Sequence, residues 1–535
     1  MTERLSMDVD IVCVGFGPAT AGFLTEISKT PDLPSTAMPG MPLQVVCYER
    51  AEDIGFGVSG VVTRARGIRA SLPSFNVTDN PMAARVSGEK VIYLRDPKYG
   101  RNAVELPYIP PFLAKHDGVV MSLGQFLQWA GGQIMATGAV QIWPGMPVEE
   151  AILEDGRVCG VRLKDQGVDR EGKPDAGYMP GMDVRAKLTV VGDGPVGAVG
   201  RQLADRDVEE WAVGMKMVVD LPGSCTLRPG TVLHTFGYPA PEIFGFFYVH
   251  PHGVASVGIF VPSWMQAPTQ TAYEYLQRFM LHPYLWRYLK GGRLRSWGAK
   301  SLNESGRQGE PVLVGEGFAR IGEGSGSTNV LTGSGVDEAW TTGVLLARGV
   351  VELLRAEKPL TRENLERAYV ARRRSSWIES EAKVAEHARD GFHYGMIPGL
   401  LGMALAGFSG GKLGFRAKPR PAPDVAPVRP ALPEIPYDGE LLVSHQDALL
   451  MGGKVQAPGG FADHVRFLEP GICERCGFKR CIQMCSGQAI TAGEGGGVPA
   501  FDREKCVHCG ACLWNCRHDV LAFQAGAGGL HSNEN

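Results

Sequence analysis

A mixed α/β chain with a nucleotide-binding core and a small cysteine-rich domain at its end is what three observations predict. Short apolar strands run directly into glycine-rich turns, helical patterns alternate with them, and eight of the twelve cysteines fall between Cys473 and Cys516. At 535 residues the chain has room for two or three well-buried cores. A formal charge of -3 and a pI near 6.5 provide no basic excess to neutralise phosphates, which excludes a general nucleic-acid binder. Acidic residues stand at the N-terminus and a strand-like run begins by Asp10, so no signal peptide is expected. No stretch reaches the roughly 18 to 20 apolar residues that span a bilayer. The expected compartment is the cytoplasm, where crowded cysteines serve metal or cluster ligation rather than disulfides.

The apolar runs "DIVCVG", "LQVVCYE" and "LTVVGDG" are the expected strands of the core. Helical patterns follow at Thr271 to Leu289, Val336 to Glu357 and Arg362 to His387. The segment "AKPRPAPDVAPVRPALPEIP" is too rich in proline for helix or central strand and reads as an extended linker. The resulting division is residues 1–416, a linker at 417–436, and a cysteine-bearing domain at 437–535. That last part has little else from which to build a core and is expected to need its metal to fold. Cys13, Cys47, Cys159 and Cys225 lie singly and read as core packing.

Four elements point to a dinucleotide. Gly15 and Gly17 follow the first strand and precede a helix opened by Pro18, Ala19 and Thr20, which allows a tight turn and close backbone approach to a pyrophosphate. Thr20 replaces the third glycine of the usual fingerprint, with small residues around it. Glu49, beside Arg50, ends the second strand, where a carboxylate can accept from ribose hydroxyls. Asp193 and Gly194 close a third strand, and Asp193 suits either a ribose contact or a helix N-cap. A last glycine-rich turn, "EGSGSTNVLTGSGVDEAWTTG", delivers a helix N-terminus able to stabilise negative charge.

The cysteines form two groups. Cys506, Cys509, Cys512 and Cys516 are separated by two, two and three residues, the bacterial ferredoxin spacing, with Arg517 where a proline usually follows. Cys473, Cys476, Cys481 and Cys485 have the middle gap lengthened to four. In two-cluster ferredoxins the fourth cysteine of each group crosses over. One [4Fe-4S] cluster is therefore assigned to Cys473, Cys476, Cys481 and Cys516, the other to Cys506, Cys509, Cys512 and Cys485. A pair of structural zinc sites is the alternative. His508 and His518, each near a ligand, are expected at the surface or just behind the thiolates.

Residues 8–415 resemble the flavoprotein part of electron transfer flavoprotein-ubiquinone oxidoreductases and the flavoprotein subunit of Fix complexes. The matching stretches include "ERAEDIGFGVSG", "LGQFLQW", "HTFGYP", "LHPYL", "GAKSLNESG" and "STNVLTGSGVDEAWTTG". The resemblance implies an FAD-binding Rossmann-like core with an inserted substrate and quinone domain, followed by a ferredoxin-like two-cluster domain. It implies FAD contacts at Gly15, Gly17, Pro18, Ala19, Thr20, Glu49, Arg50, Ser59, Gly60, Asp193, Gly194, Asn329, Thr332, Gly333, Ser334 and Gly335. Ser122 departs from the arginine that similar flavoproteins often carry. The cysteine domain resembles the ferredoxin-like partner of the Fix flavoprotein, so the chain looks like a fusion of the two.

By the same resemblance, Gly391 to Phe408 and Glu105 to Leu113 would dip into one leaflet on the inner face of the cytoplasmic membrane and admit a quinone, with Tyr248 and His250 as candidate pocket residues. The composition of these segments also suits a buried helix and a packed loop. No acid-base or nucleophile set stands out, as expected where cofactors carry the chemistry. The leading expectation is electron flow from electron transfer flavoprotein through clusters and FAD to a membrane quinone, within a bifurcating complex as one variant. The alternatives are a ferredoxin-linked reductase of an unsaturated prenyl lipid and a non-enzymatic relay or docking subunit.

Overall fold

The computed structural model describes residues 4–523, apart from 58–59, 77, 79, 81–82, 98–101, 206–207, 209, 266–270, 417–438 and 444–459. The proline-rich linker and most of the glycine-rich tail lie outside the described residues, as does Ser59.

Two sheets organise the first four hundred residues. In the first, strands Phe318–Arg320, Asp183–Val191, Ser6–Val14, Val45–Tyr48 and Gln141–Trp143 lie side by side in that order, all parallel. Strands of a parallel sheet are covered on both faces, which is why they read as unbroken apolar runs. Helices Pro18–Ile27 and Val336–Arg355 cover one face and touch backbone to backbone. A Cβ on Gly22 would lie 2.4 Å from the Trp340 carbonyl oxygen, and one on Gly343 would lie 1.8 Å from that of Ala19. Trp340 is buried between them, its Nε1–H donating to Ser71 Oγ at 2.7 Å.

The second sheet has seven strands, ordered Arg293–Asn303, Trp211–Asp220, Val254–Pro262, Phe244–Val249, Thr231–Phe236, Gly88–Leu94 and Ala103–Glu105. Helices Ala272–Leu281 and Pro283–Leu289 cover its far face with Tyr273, Leu276, Phe279 and Leu285. The sequence pattern predicts one helix across this pair. The chain breaks at His282 because Pro283 lacks an N–H for the preceding turn. The third predicted helix is also divided, at Ser375 and Ser376, after a π-turn at Glu366–Val370.

The cysteine-bearing part is built from short helices Pro470–Arg475, Arg480–Gln483 and Ala511–Trp514 and two two-stranded sheets. It seats on the edge strand Arg293–Asn303 of the second sheet. Ser301 N–H donates to the Cys509 carbonyl at 2.9 Å, Trp514 Nε1–H donates to Ser301 Oγ at 2.8 Å, and Trp514 stacks on Trp211 at 6.1 Å. Of the four isolated cysteines, Cys13 and Cys47 are buried in strands as expected. Cys159 and Cys225 are only half-buried, because one lies on an outlying hairpin and the other in a turn.

Candidate functional site

The first strand ends at Val14, and Gly15 turns the chain at φ +81°, a conformation that L side chains rarely adopt. A side chain there would also press within 3.0 Å of the Gly192 carbonyl. Gly17 then caps the helix opened by Pro18, and a Cβ on Gly17 would meet nothing within 4 Å. The same openness surrounds Gly194 and Gly333. Bare backbone facing open space at a helix N-terminus suits a pyrophosphate, so the residues fit a dinucleotide. The role of the third glycine is divided. Thr20 is buried against Gly192, where a Cβ would come within 2.3 Å of its hydroxyl, while Gly22 provides the close helix contact.

Glu49 first organises its own turn. Its Oε2 accepts from Phe16 N–H at 2.6 Å and its Oε1 from Ala51 N–H at 2.9 Å, which leaves a second lone pair on each oxygen for a hydroxyl. Asp193 reaches the first turn of the helix Ala198–Gln202, which Gly197 caps: its Oδ2 accepts from Gly200 N–H at 3.0 Å. Burial raises its pKa, opposed by backbone bonds from the helix Ala198–Gln202. Ser122 caps the helix Leu123–Ala136 through Gln125 N–H.

The last glycine-rich turn is stitched into a small closed loop. Asn329 and Ser334 exchange backbone bonds, and Asn329 Oδ1 accepts from the N–H groups of Leu331 and Thr332. Gly333 takes φ +62° and Gly335 caps the long helix. Three charged groups lie beneath this loop. Asp337 accepts from the N–H groups of Arg66, Gly67 and Ile68. Lys115 Nζ donates to the Thr332 carbonyl at 3.2 Å, and Ser334 Oγ donates to Glu338 Oε2 at 2.8 Å. Burial, then the neighbouring Asp337, pushes Glu338 up to about 7.

A carboxyl raised above its unfolded value, near 4.5, binds an extra proton in the folded state. Its stabilising contribution is full below that value and is lost as pH rises through about 7. We expect Glu338→Gln to flatten the fall in stability between these limits by roughly 3 kcal/mol. Thermal melts of both proteins at pH 5 and pH 7.5 measure it, and parallel curves would refute it.

Gly60, at φ +89°, packs on the face of the second sheet away from the helices Ala272–Leu281 and Pro283–Leu289. A Cβ there would lie 2.1 Å from Ser256 Oγ and 3.1 Å from Lys216 Nζ. Lys216 is 1% exposed and its amine has no hydrogen-bond partner among the described residues, so burial drives its pKa far down. His250 Nε2 and Ser256 Oγ are 2.8 Å apart. Tyr248 stacks on Phe246 at 4.7 Å, and Phe246 lies 5.4 Å from Phe260. Beyond them His234 pairs with Glu89 at 2.9 Å. Tyr248 and His250 thus belong to a larger polar and aromatic face. Lys216, Ser256, Lys115 and Glu89 have no motif of their own, the lysine inside the apolar run of Trp211–Asp220 being the one signal among them, whereas Glu338 lies within the last glycine-rich stretch without being singled out by it.

The eight cysteines fall into two adjoining neighbourhoods. Cys473 and Cys481 each lie within electrostatic range of Cys476 and Cys516, whereas Cys485, Cys506 and Cys512 share range with Cys509. Cys473, Cys476, Cys481 and Cys516 together line one pocket, walled by Phe467, Phe478 and Pro499. Among the described residues, His464, Cys506 and His508 form a set of three donors whose ligand atoms all lie within 4.8 Å of one another. His508 lies buried against Cys506, with its backbone N–H donating to the sulfur at 3.4 Å, while His518 is exposed at the pocket of the first quartet.

Arg50 joins the two halves. Burial lowers its pKa, while Glu49, Asp193 and Cys506 all lie close enough to raise it. The end of the second core strand is therefore in electrostatic range both of Asp193 and of Cys506, one of Cys485, Cys506, Cys509 and Cys512, the inner cysteine set.

A family model for the ubiquinone-binding part of ETF-QO matches residues 211–302, from the strand Trp211–Asp220 into the neighbouring edge strand Arg293–Asn303 of the second sheet. The electron transfer flavoprotein-ubiquinone oxidoreductase of Pseudomonas aeruginosa is 30% identical over 394 residues, covering 71% of this chain and 69% of that protein. The mitochondrial protein of the same name from Arabidopsis thaliana is 27% identical over 536 residues, covering 95% and 81%. Among solved structures, the flavin-dependent brominase Bmp2 matches at TM-score 0.50 and 17% identity, covering 76% of this chain and 94% of that one. A halogenase, PltM, solved in complex with FAD, matches at 0.51 and 14%, covering 74% and 81%. These two show the fold, that of FAD-binding flavoproteins, over about three quarters of this chain. With a relative at 30% identity spanned over more than two thirds of its length, this chain belongs to the electron transfer flavoprotein-ubiquinone oxidoreductase family of redox enzymes.

Proposed function

We propose that this protein oxidises reduced electron transfer flavoprotein and delivers the electrons, through two [4Fe-4S] clusters and one FAD, to a membrane quinone. The flavoprotein and ferredoxin-like halves of a Fix-type complex would then be carried on one chain, in three parts: residues 1–416, the linker 417–436 and residues 437–535. Linkage keeps the clusters beside the flavin at any protein concentration. The carrying observation is that the ubiquinone-binding family model falls on the sheet against which the cysteine-bearing part is seated.

Gly15, Gly17, Pro18, Ala19, Thr20 and Gly194 would cradle the FAD pyrophosphate, Glu49 the ribose, and Gly60 with Asn329, Thr332, Gly333, Ser334 and Gly335 the isoalloxazine end. Bound FAD exchanges one or two electrons while clusters exchange one at a time, which reconciles a two-electron donor with a two-electron acceptor. Lys216, Ser256 and His250 place polar hydrogens on the sheet face, and the aromatic set Phe246, Tyr248 and Phe260 excludes water there. The inner cysteine set, next to Arg50, is the one suited to hand electrons to the flavin half.

Membrane contact is assigned to the helix Met396–Ser409. No helix among the described residues is long and apolar enough to cross a membrane. Ile397, Leu401, Leu405 and Phe408 form an outward stripe on this helix, with Ile397 72% and Phe408 64% exposed. Exposed Tyr108 and Leu106 extend it, joined through the Phe112 ring packed on Phe408 at 5.6 Å. No charged residue occurs from Gly391 to Gly411, and Lys412 and Arg416 follow. An apolar stripe of this kind lies in a bilayer interface rather than across it. We expect Ile397→Asp with Leu401→Asp to weaken vesicle binding by roughly 100-fold, since each apolar side chain contributes about 1.5 kcal/mol or more. Co-sedimentation with phosphatidylglycerol-containing vesicles measures this, and unchanged binding would remove the assignment.

Anaerobic stopped-flow spectroscopy tests the whole proposal. Reduced electron transfer flavoprotein should bleach the flavin and cluster bands, and a short-chain quinone should restore them. Full cofactor content with no quinone response would sink the quinone assignment and turn attention to lipid double bonds.

A further inference from the structure

We propose that His464, held by the stacked ring of His508, sets the potential of the inner cluster by donating a hydrogen bond to its Cys506 sulfur. This rests on the reading of Cys485, Cys506, Cys509 and Cys512 as one [4Fe-4S] ligand set. Reduction adds one negative charge to a cluster, and burial away from water opposes that charge. Three of these four cysteines are buried, so hydrogen-bond donors and nearby cations must favour the reduced form if the cluster is to accept an electron.

The structure supplies them on the Cys506 side. His464 Nε2 lies 3.2 Å from Cys506 Sγ, within reach of an N–H to sulfur bond, and the ring is 2% exposed. His508 stacks on it with centroids 4.1 Å apart and planes 21° from parallel. Its ring is 4% exposed, neither ring nitrogen has a hydrogen-bond partner among the described residues, and it lies within 4.8 Å of the same sulfur. Phe501 closes over His464 edge-on at 5.2 Å. Arg50, Lys164 and Arg503 face the pair, and Asp463 lies 3.4 Å from Arg503. Cys485 Sγ, by contrast, accepts from backbone N–H groups, those of Ala489 at 3.2 Å and Ile490 at 3.4 Å. The pair therefore stands on the side of the cluster that faces Arg50 and the dinucleotide turn, where electrons would leave.

The test is a redox titration of the purified holoprotein followed by electron paramagnetic resonance, which resolves two cluster midpoints. His464→Phe should move one midpoint to a more negative value and leave the other in place, and His508→Phe, which keeps its backbone N–H on Cys506 and loses only the polar ring that orients His464, should move the same midpoint by less. The loss of one hydrogen bond to sulfur corresponds to a roughly tenfold smaller reduction constant, about 59 mV for one electron. His464→Gln, which keeps a side-chain N–H, should recover part of the shift. Where a Phe variant fails to assemble its cluster, the Gln variant and the other Phe variant carry the test. Two clusters present with both midpoints unmoved, or both moved alike, would overturn the donor role and leave the cluster reading intact. Iron and sulfide for fewer than two clusters in the unaltered protein would sink both.

Discussion

A Cys516→Ser variant is expected to lose the cluster whose other ligands come from the first cysteine group, although Cys516 belongs by sequence to the second. The physical reason is proximity. Cys516 lies in the pocket with Cys473, Cys476 and Cys481, while Cys485 lies in range of Cys509, Cys506 and Cys512. Serine offers a harder, less easily ionised oxygen, so the three remaining thiolates hold the iron weakly. Iron content should fall by about half, with one set of paramagnetic signals surviving. Adding Cys473→Ser should take nothing further, whereas adding Cys506→Ser should remove the remainder. If Cys516→Ser and Cys506→Ser instead fail together as one cluster, the crossed assignment is wrong.

Substitution at two neighbouring glycines should separate cofactor binding from folding. Gly17→Val places its side chain into the open space before the helix N-terminus, so the fold should survive while FAD is lost. Two or three charge-assisted hydrogen bonds from the turn depend on that close approach, and we expect roughly 3 kcal/mol, or about 100-fold, weaker binding. Gly22→Val meets the Trp340 carbonyl at 2.4 Å, where both partners are helix backbone and neither can move alone. It should destabilise the protein by about 3 kcal/mol or more, with melting temperature falling whether or not FAD is present. Flavin content and thermal melts of the two variants measure this. Equal losses of stability would remove Gly17 from the cofactor site.

Local chemistry was legible where a single stretch of chain does the work. The run "DIVCVG" specifies a buried strand, and Gly15 and Gly17 specify a turn, because backbone conformation and burial are imposed within a few residues. The outward stripe on Met396–Ser409 could not be told from a buried helix, since apolar content alone does not say which face meets protein. Thr20 stands where the fingerprint has a glycine, and only the fold shows that Gly192, beyond another strand, leaves room for its hydroxyl while Gly22 of the same helix takes the close contact with Trp340. The predicted helix at Thr271 to Leu289 ignored Pro283, whose missing N–H outweighed the helical periodicity around it.

The sequence by itself determined the strand-turn-helix at Gly15 to Ile27, the cysteine spacing of the two groups and the absence of a long apolar span, because each is a property of neighbouring residues. Tertiary structure alone decided that Lys216 lies beneath Gly60 with no hydrogen-bond partner among the described residues, that Asp193 accepts from Gly200, and that Trp514 and Cys509 pin the cysteine-bearing part to the edge strand at Ser301. It also decided that His464 reaches Cys506 across forty-two positions of sequence. Such partners are chosen by which elements pack together, and the free energy of that packing is spread over the whole core rather than written at either residue.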